Sequence, residues 1–124
     1  RFAKRAATDQ AQPQRQAAVK AAFLHAWRSY EEHAWGMDEV NPLSRTPISS
    51  FGMGLTLVDS LDTMYLMGLS VQFESAIKWV EDSLFFGTQE DINVFEVTIR
   101  ILGGLLSAYE LSSFKPLLQA AEEL

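Results

Sequence analysis

The apolar residues of this chain recur at the spacing of an α-helix in several successive segments, and this periodicity constrains the fold more than any other feature. After Arg15, small and aromatic side chains fall on two neighbouring ridges of one predicted helix, which ends near Trp35-Gly36. The ridge residues are Ala18, Ala22, Ala26 and Tyr30, with Val19, Phe23, Trp27 and Ala34. We expect this helix to pack along that stripe, with His25 and His33 at its solvent side or rim.

Four further helices are predicted downstream, which makes about five in all. They span about Leu55 to Met67, about Val71 to Leu84, about Asn93 to Leu111, and from Ser113 onward with Pro116 in the first turn. Helices of this length joined by loops predict an all-α architecture of stacked helical hairpins.

The segment between the first two helices is predicted to be a long irregular loop. It contains Asn41-Pro42 and Thr46-Pro47, and the residue before a proline is disfavoured in helical geometry. We expect no strand, apart from a short extended piece around Phe85 and Phe86.

Composition limits the classes of function. Hydrophobic residues make up 48% of the chain, enough for a compact core in residues 15–124, whereas residues 1–14 are expected to be a stem or linker. The net charge of −6 argues against a nucleic-acid partner. Without cysteines there is no disulfide or thiolate site. No apolar run reaches the roughly 20 residues that span a bilayer, so we expect any targeting or anchoring segment to lie outside this sequence.

The fourth predicted helix carries the first candidate site. Glu96 and Arg100 are one turn apart and can pair, which on an exposed surface would be of little consequence. Their neighbours are apolar nearly all round, which predicts a helix buried on most sides. An apolar setting favours the protonated form of a carboxyl group and so suits a general acid. Gly103 and Gly104 follow in the helix interior, where they allow close approach of a neighbouring helix or, less simply, of a ligand.

The second predicted helix carries two aspartates in an otherwise apolar segment. Asp59 and Asp62 are three residues apart and therefore lie on one side of that helix. Carboxylates in such surroundings are either satisfied by a neighbouring loop or an arginine, or belong to a site. Two carboxylates do not fill the six to eight oxygen positions of calcium, so the pair alone is not a calcium site.

Three segments together resemble glycoside hydrolase family 47, the class I α-1,2-mannosidases of the endoplasmic reticulum and Golgi, and most closely the endoplasmic reticulum type. They are the helix from Trp27 to Trp35 with the loop Gly-Met-Asp-Glu-Val-Asn-Pro-Leu-Ser-Arg, the block Gly-Leu-Thr-Leu-Val-Asp-Ser-Leu-Asp-Thr-Met, and the segment Val-Phe-Glu-Val-Thr-Ile-Arg-Ile-Leu-Gly-Gly-Leu-Leu-Ser-Ala-Tyr. The resemblance covers about Arg15 to Leu111.

The resemblance implies the N-terminal part of an (α/α)7 barrel that hydrolyses terminal α-1,2-linked mannose of high-mannose N-glycans with inversion. By position, Glu96 matches the general acid, Arg100 a substrate-contacting arginine and Asp59 an acidic residue needed for full activity, with Asp62 as support. The family uses a calcium ion, whose ligands, like the general base, come from later helices. We therefore expect an incomplete barrel that needs the remainder of the catalytic domain as its partner and is inactive alone. The implied location is the endoplasmic reticulum or Golgi lumen, with membrane anchoring through a segment outside this sequence.

Two other functions, glycan binding without catalysis and scaffolding of protein partners, are alternatives to the enzyme. A lectin-like quality-control factor of the same family would bind mannose glycans, or act on them only with a redox partner, but such relatives usually differ in the block Gly-Met-Gly-Leu-Thr-Leu. A helical scaffold for protein partners would give no reason for Glu96 in a buried helix. The enzyme is therefore the favoured interpretation.

Overall fold

The computed structural model describes residues 12–87 and 92–124, and within them the predicted all-α architecture is confirmed. The α-helices are α1 (Gln12–His33), α2 (Leu55–Asp59), α3 (Leu61–Leu66), α4 (Ser70–Ser83), α5 (Val94–Glu96), α6 (Gly103–Ser112) and α7 (Lys115–Glu123). A π-helical segment (Val97–Leu102) joins α5 to α6. The first helix thus begins at Gln12 instead of Arg15, and the rest of the predicted linker, residues 1–11, lies outside the described residues. None of the described helices is both long and apolar enough to cross a membrane.

A small hairpin lies in the segment predicted to be irregular. Its strands are β1 (Glu39–Val40) and β2 (Pro47–Ile48), which pair antiparallel with Glu39 opposite Ile48. The prediction of no strand here was wrong, because two-residue strands are too short to show alternation in the sequence. The extended piece expected around Phe85 and Phe86 forms no strand.

Only the C-terminal half of α1 packs against the core, through its aromatic residues. Trp27 and Tyr30 are buried, and the Trp27 ring lies 6.0 Å from the Phe23 ring and 6.0 Å from the Trp35 ring. Four other residues of the predicted stripe are exposed instead, namely Ala18, Val19, Ala22 and Ala26, whereas Ala34 at its far end is buried. Because aromatic side chains bury far more surface than alanine, they decide which part of the helix packs.

The second predicted helix is interrupted at Ser60. The Ser60 N–H donates to the Leu57 carbonyl, three residues back, at 3.3 Å, so the chain makes a tighter turn there and α3 starts afresh. α2 is consequently only five residues long, with Asp59 as its last residue.

Helices α2 and α6 approach each other closely at Gly104. A Cβ atom added to Gly104 would lie 2.8 Å from the Val58 carbonyl oxygen, a backbone atom that cannot move aside. At Gly103 the nearest such atom is the Thr98 carbonyl oxygen at 3.6 Å, an ordinary contact. The prediction that both glycines allow close helix packing therefore holds for Gly104 and is wrong for Gly103.

The indole of Trp79, on α4, packs against two glycines that precede and follow the hairpin. Gly36 and Gly54 have φ angles of +77° and +64°, which L side chains rarely adopt, and a Cβ atom at either would overlap the Trp79 ring. The end of α1, the start of α2 and α4 are thus joined at one side chain.

The helix that carries Glu96 is buried on one side only within the described residues. Val97 and Ile101 face the core, whereas Phe95 is 66% and Ile99 51% exposed. The expectation of a helix buried on most sides was wrong for this part of the molecule, since no described element covers the outer face.

Candidate functional site

The helical segment from Val94 to Ser112 places the first two predicted site residues. Asn93 caps its start by accepting a hydrogen bond from the Glu96 N–H at 3.2 Å, which satisfies one free donor of the first turn. Arg100 lies in the π-helical segment, and its Nε donates to Glu96 Oε2 at 2.6 Å. π-Helical turns inside α-helices occur frequently at functional sites.

Arg100 also contacts the end of α2. Its Nη1 donates to Asp59 Oδ2 at 3.2 Å, so a single guanidinium joins two carboxylates from different helices. We call Asp59, Glu96 and Arg100 the carboxylate cluster. It brings together three of the four site residues that the sequence predicts.

The carboxylate cluster is open to solvent, contrary to the expectation of a buried pair. The side chains of Arg100 and Asp59 are each 43% exposed, and that of Glu96 is 32% exposed. The hydrogen bond and charge of Glu96 raise the pKa of Arg100 above its ordinary value, and Asp59 adds to this effect. The arginine is therefore a permanent cation that holds two accessible carboxylates.

Asp62 lies apart from the carboxylate cluster and connects two helices. Its Oδ2 accepts from the Ser107 hydroxyl of α6 at 2.7 Å, and its Oδ1 accepts from the Thr63 hydroxyl at 3.3 Å. These contacts join α3 to α6 and include none with Arg100 among the described hydrogen bonds, so the supporting role of Asp62 stays a prediction.

Sequence reasoning missed Asp38, which is the fully buried acidic residue of the described core, at 0% exposure. Its Oδ2 accepts from the N–H groups of Phe51 and Gly52 at 2.6 and 2.8 Å. Its Oδ1 accepts from those of Met53 and Leu55, both at 3.1 Å. The available signal was an aspartate ahead of two closely spaced glycines, Gly52 and Gly54, because glycine lets successive N–H groups converge on one acceptor.

Burial alone would raise the pKa of Asp38, and this is the largest single effect on it. The four N–H donors together outweigh it and hold the pKa of that carboxyl below its ordinary value. Asp38 is therefore the anionic cap of α2, whose own N-cap residue, Gly54, has no side chain to offer.

The described residues do not form a metal site. Nowhere in residues 12–87 and 92–124 do three His, Asp or Glu side chains come together to hold an ion. The carboxylate cluster itself contains the Arg100 cation, which would repel calcium, and Asp38 is saturated by N–H donors. These residues do not fit calcium.

Chemically, the carboxylate cluster can hydrogen-bond a ligand rich in hydroxyl groups and can exchange a proton with it. With one guanidinium for two carboxylates, it is neutral only when one carboxylate carries a proton.

The segment that holds the candidate site residues is similar in sequence to known proteins. The sequence profile described as Glycosyl hydrolase family 47 matches residues 22–124, a range that includes every candidate site residue. The endoplasmic reticulum mannosyl-oligosaccharide 1,2-alpha-mannosidase of Rattus norvegicus is 54% identical over 110 residues, which are 89% of this chain and 17% of that protein. A mannosyl-oligosaccharide 1,2-alpha-mannosidase of Arabidopsis thaliana is 50% identical over 122 residues, 98% of this chain and 22% of that protein.

The fold is likewise similar to that of a solved enzyme. The alpha-1,2-mannosidase from Trichoderma reesei superposes with a TM-score of 0.77 at 35% sequence identity, covering 90% of this chain and 25% of that one. The chain thus spans about a fifth of the length of the curated relatives and a quarter of the solved structure.

Proposed function

Because the chain belongs to glycosyl hydrolase family 47, we propose that this protein hydrolyses terminal α-1,2-linked mannose from high-mannose N-glycans. The observation that carries the proposal is the identity of 54% to a mannosyl-oligosaccharide 1,2-alpha-mannosidase across a segment that contains the whole carboxylate cluster. The proposed substrate is rich in hydroxyl groups, which can donate hydrogen bonds to carboxylates and accept them from a guanidinium.

Glu96 is the proposed general acid, which gives its proton to the oxygen of the departing mannosyl group, directly or through one water. Its partial exposure and its hydrogen bond from Arg100 Nε support this role. Arg100 and Asp59 are the proposed contacts to substrate hydroxyls, and Asp62 supports them through Ser107 of α6.

Inversion requires a second carboxylate about 6.5 to 9.5 Å from the acid, with room for a water between it and the sugar. Asp59 is bound to the same guanidinium as Glu96, so it is a poor choice for a base that must lie across the sugar. We therefore assign the general base to no residue of this chain.

Arg100 has a second proposed task, which is to orient the acid. It contacts Glu96 through Nε and Asp59 through Nη1, and a guanidinium held at two points has little freedom to turn. A substrate hydroxyl that takes the place of Asp59 on Nη1 would leave the Nε contact, and hence the position of Glu96, unchanged.

The proposed location is the lumen of the endoplasmic reticulum, because relatives at 53 to 54% identity are named as enzymes of that compartment. A Golgi location and an anchor in the membrane are further proposals that rest on the family alone. Calcium is proposed on the same basis, with ligands other than the described residues.

The test is to incubate the full-length protein with a high-mannose N-glycan and follow free mannose and its anomeric form by NMR in the first minutes. We expect release from α-1,2-linked termini only, with β-mannose appearing first, because an inverting enzyme turns the α linkage into the β product. A glycan already stripped of its α-1,2 termini is the control. Binding of the glycan without mannose release would contradict the proposal and favour a glycan-binding quality-control factor.

A further inference from the structure

The start of α2 is held by a residue from a distant part of the chain. Gly54, the N-cap residue, lies in the left-handed conformation and offers no side-chain acceptor. Asp38 supplies one instead, with four N–H bonds to its carboxylate from residues 51 to 55. Its carbonyl oxygen also accepts from the Thr56 N–H at 2.9 Å and the Thr56 hydroxyl at 2.6 Å.

The other end of α2 is equally constrained. The Val58 carbonyl lies against Gly104 of α6, and Asp59, the next residue, meets Arg100. The helix is only five residues long, about 7.5 Å at the usual rise per residue. Such a short helix has no interior turn that could absorb a shift at its start, so a displacement at Leu55 reaches Asp59.

We propose that Asp38 is a positioning residue of the active site, which acts through α2 to set where the Asp59 carboxylate meets Arg100. This role rests on the proposed function, since it concerns the same site. Asp38 itself touches no substrate, because it is fully buried behind the segment it holds.

A double-mutant cycle tests the proposal in the full-length protein. Asp38→Asn keeps the size of the side chain but turns an NH₂ group toward N–H groups that need an acceptor. We expect kcat/KM for mannose release to fall about 10- to 100-fold, the effect of misplacing a site group by about 1 Å. In an Asp59→Ala background the same change should lower kcat/KM less than about threefold, because the side chain through which Asp38 acts is already removed.

Two controls separate positioning from general loss of stability. Leu117→Val removes a buried methylene in α7, away from α2, and should lower the melting temperature while leaving kcat/KM unchanged. If Asp38→Asn does not fold, Thr56→Val replaces it in the cycle, since it removes only the hydroxyl bond to the Asp38 carbonyl. An equal fold-loss from Asp38→Asn, or from its replacement, in both Asp59 backgrounds would overturn the proposal.

A crystal structure of the full-length Asp38→Asn or Thr56→Val variant gives a readout that does not depend on activity. We expect the Asp59 carboxylate to leave hydrogen-bond distance of Arg100 Nη1, and an unchanged contact would overturn the positioning role. If the wild-type protein releases no mannose, the proposed function fails, and this measurement still decides the structural claim about Asp38.

Discussion

Arg100 holds the candidate site together at the scale of single residues, because its Nε and Nη1 atoms donate to carboxylates from two helices. An isolated exposed ion pair at helical spacing stabilises a protein by only about 0.3 to 0.5 kcal/mol. These ion pairs therefore contribute little to the free energy of unfolding. The role that we propose for this arrangement is to keep Glu96 and Asp59 in fixed places on an accessible surface.

The role of Glu96 predicts a specific kinetic defect. Changing Glu96→Gln in the full-length protein keeps the shape of the side chain but removes the transferable proton, so kcat should fall by about 10² to 10⁴. Melting temperature should change little because the side chain is partly exposed. The measurement is kcat on a natural glycan and on a mannoside with an activated leaving group, on which an acid variant should recover.

Glu110→Gln is the matched control, since Glu110 is an exposed glutamate of α6 remote from the described contacts of Arg100. It should leave both kcat values unchanged. Equal losses for Glu96→Gln on the natural and the activated substrate would remove Glu96 from the acid role, as would a lower melting temperature with kcat within a few fold.

Asp38 predicts a pH dependence of stability. The pKa of Asp38 in the folded protein lies below its value of about 3.9 in the unfolded chain. Its contribution to the free energy of unfolding is therefore fully present above the unfolded pKa and is lost as the pH falls through the folded pKa. The Asp38→Asn variant should be less stable than wild type by about 1 to 3 kcal/mol near neutral pH, because buried N–H groups lose an acceptor. The difference in melting temperature should shrink as the pH approaches 3.

Glu39→Gln, at the exposed neighbouring position, should show no such difference at any pH. A difference between wild type and Asp38→Asn that stays constant from pH 7 to pH 3 would mean that the charge of Asp38 does not stabilise the fold.

At the scale of helices and strands, long periodic segments were predictable and their interruptions were not. The existence of the helices follows from apolar spacing, and α4 (Ser70–Ser83) matches its prediction of Val71 to Leu84 closely. The break at Ser60 and the π-helical segment differ from an α-helix in which backbone carbonyl accepts from each N–H group. The spacing of apolar side chains does not predict that pairing.

The same distinction explains what was predictable of the site. Glu96, Arg100 and Asp59 stand out because charges are unusual in apolar segments. Asp38 binds backbone N–H groups, which every residue other than proline has, so apart from the two glycines its partners leave no mark in the sequence. Gly104 differs from Gly103 only in the helix that faces it.

The contact between α2 and α6 predicts opposite effects for the two adjacent glycines. Gly104→Ala places a methyl group 2.8 Å from the Val58 carbonyl and should cost about 1 to 3 kcal/mol in the free energy of unfolding. Gly103→Ala, the matched control, has room for the methyl group and should be neutral or stabilise by up to about 1 kcal/mol, because alanine favours a helix over glycine. Thermal unfolding of both variants measures this, and a Gly104→Ala variant as stable as Gly103→Ala would contradict the close approach.

At the scale of the whole molecule, the described residues leave large apolar surfaces uncovered. The outer face of the α5 and π-helical segments exposes Val94, Phe95 and Ile99, and a groove of about 710 Å³ is lined by Tyr65 and Phe114 among others. Exposed apolar patches of this kind mark interaction surfaces. The family fold is the (α/α)7 barrel, and this chain spans a quarter of the solved relative.

These surfaces predict the behaviour of the 124-residue chain on its own. It should bind a fluorescent hydrophobic dye strongly, and Phe95→Ser with Ile99→Ser should lower that fluorescence without lowering the melting temperature. In the full-length protein the same pair of changes should lower the melting temperature if a further helix packs on this face and covers the two side chains. Weak dye binding by the isolated chain, unaltered by the substitutions, would show that the outer face is already covered.

Because α2 depends on Asp38, the loop between them should close before the helix forms during folding. A five-residue helix does not persist alone, because nucleating a helical turn in water is unfavourable. α2 therefore forms only once the loop from Asp38 to Phe51 has closed and its entropy cost has been met. In a refolding chain, Asp59 reaches Arg100 after that closure, so catalytic competence should appear no earlier than hydrogen-exchange protection of the amides from Phe51 to Leu55.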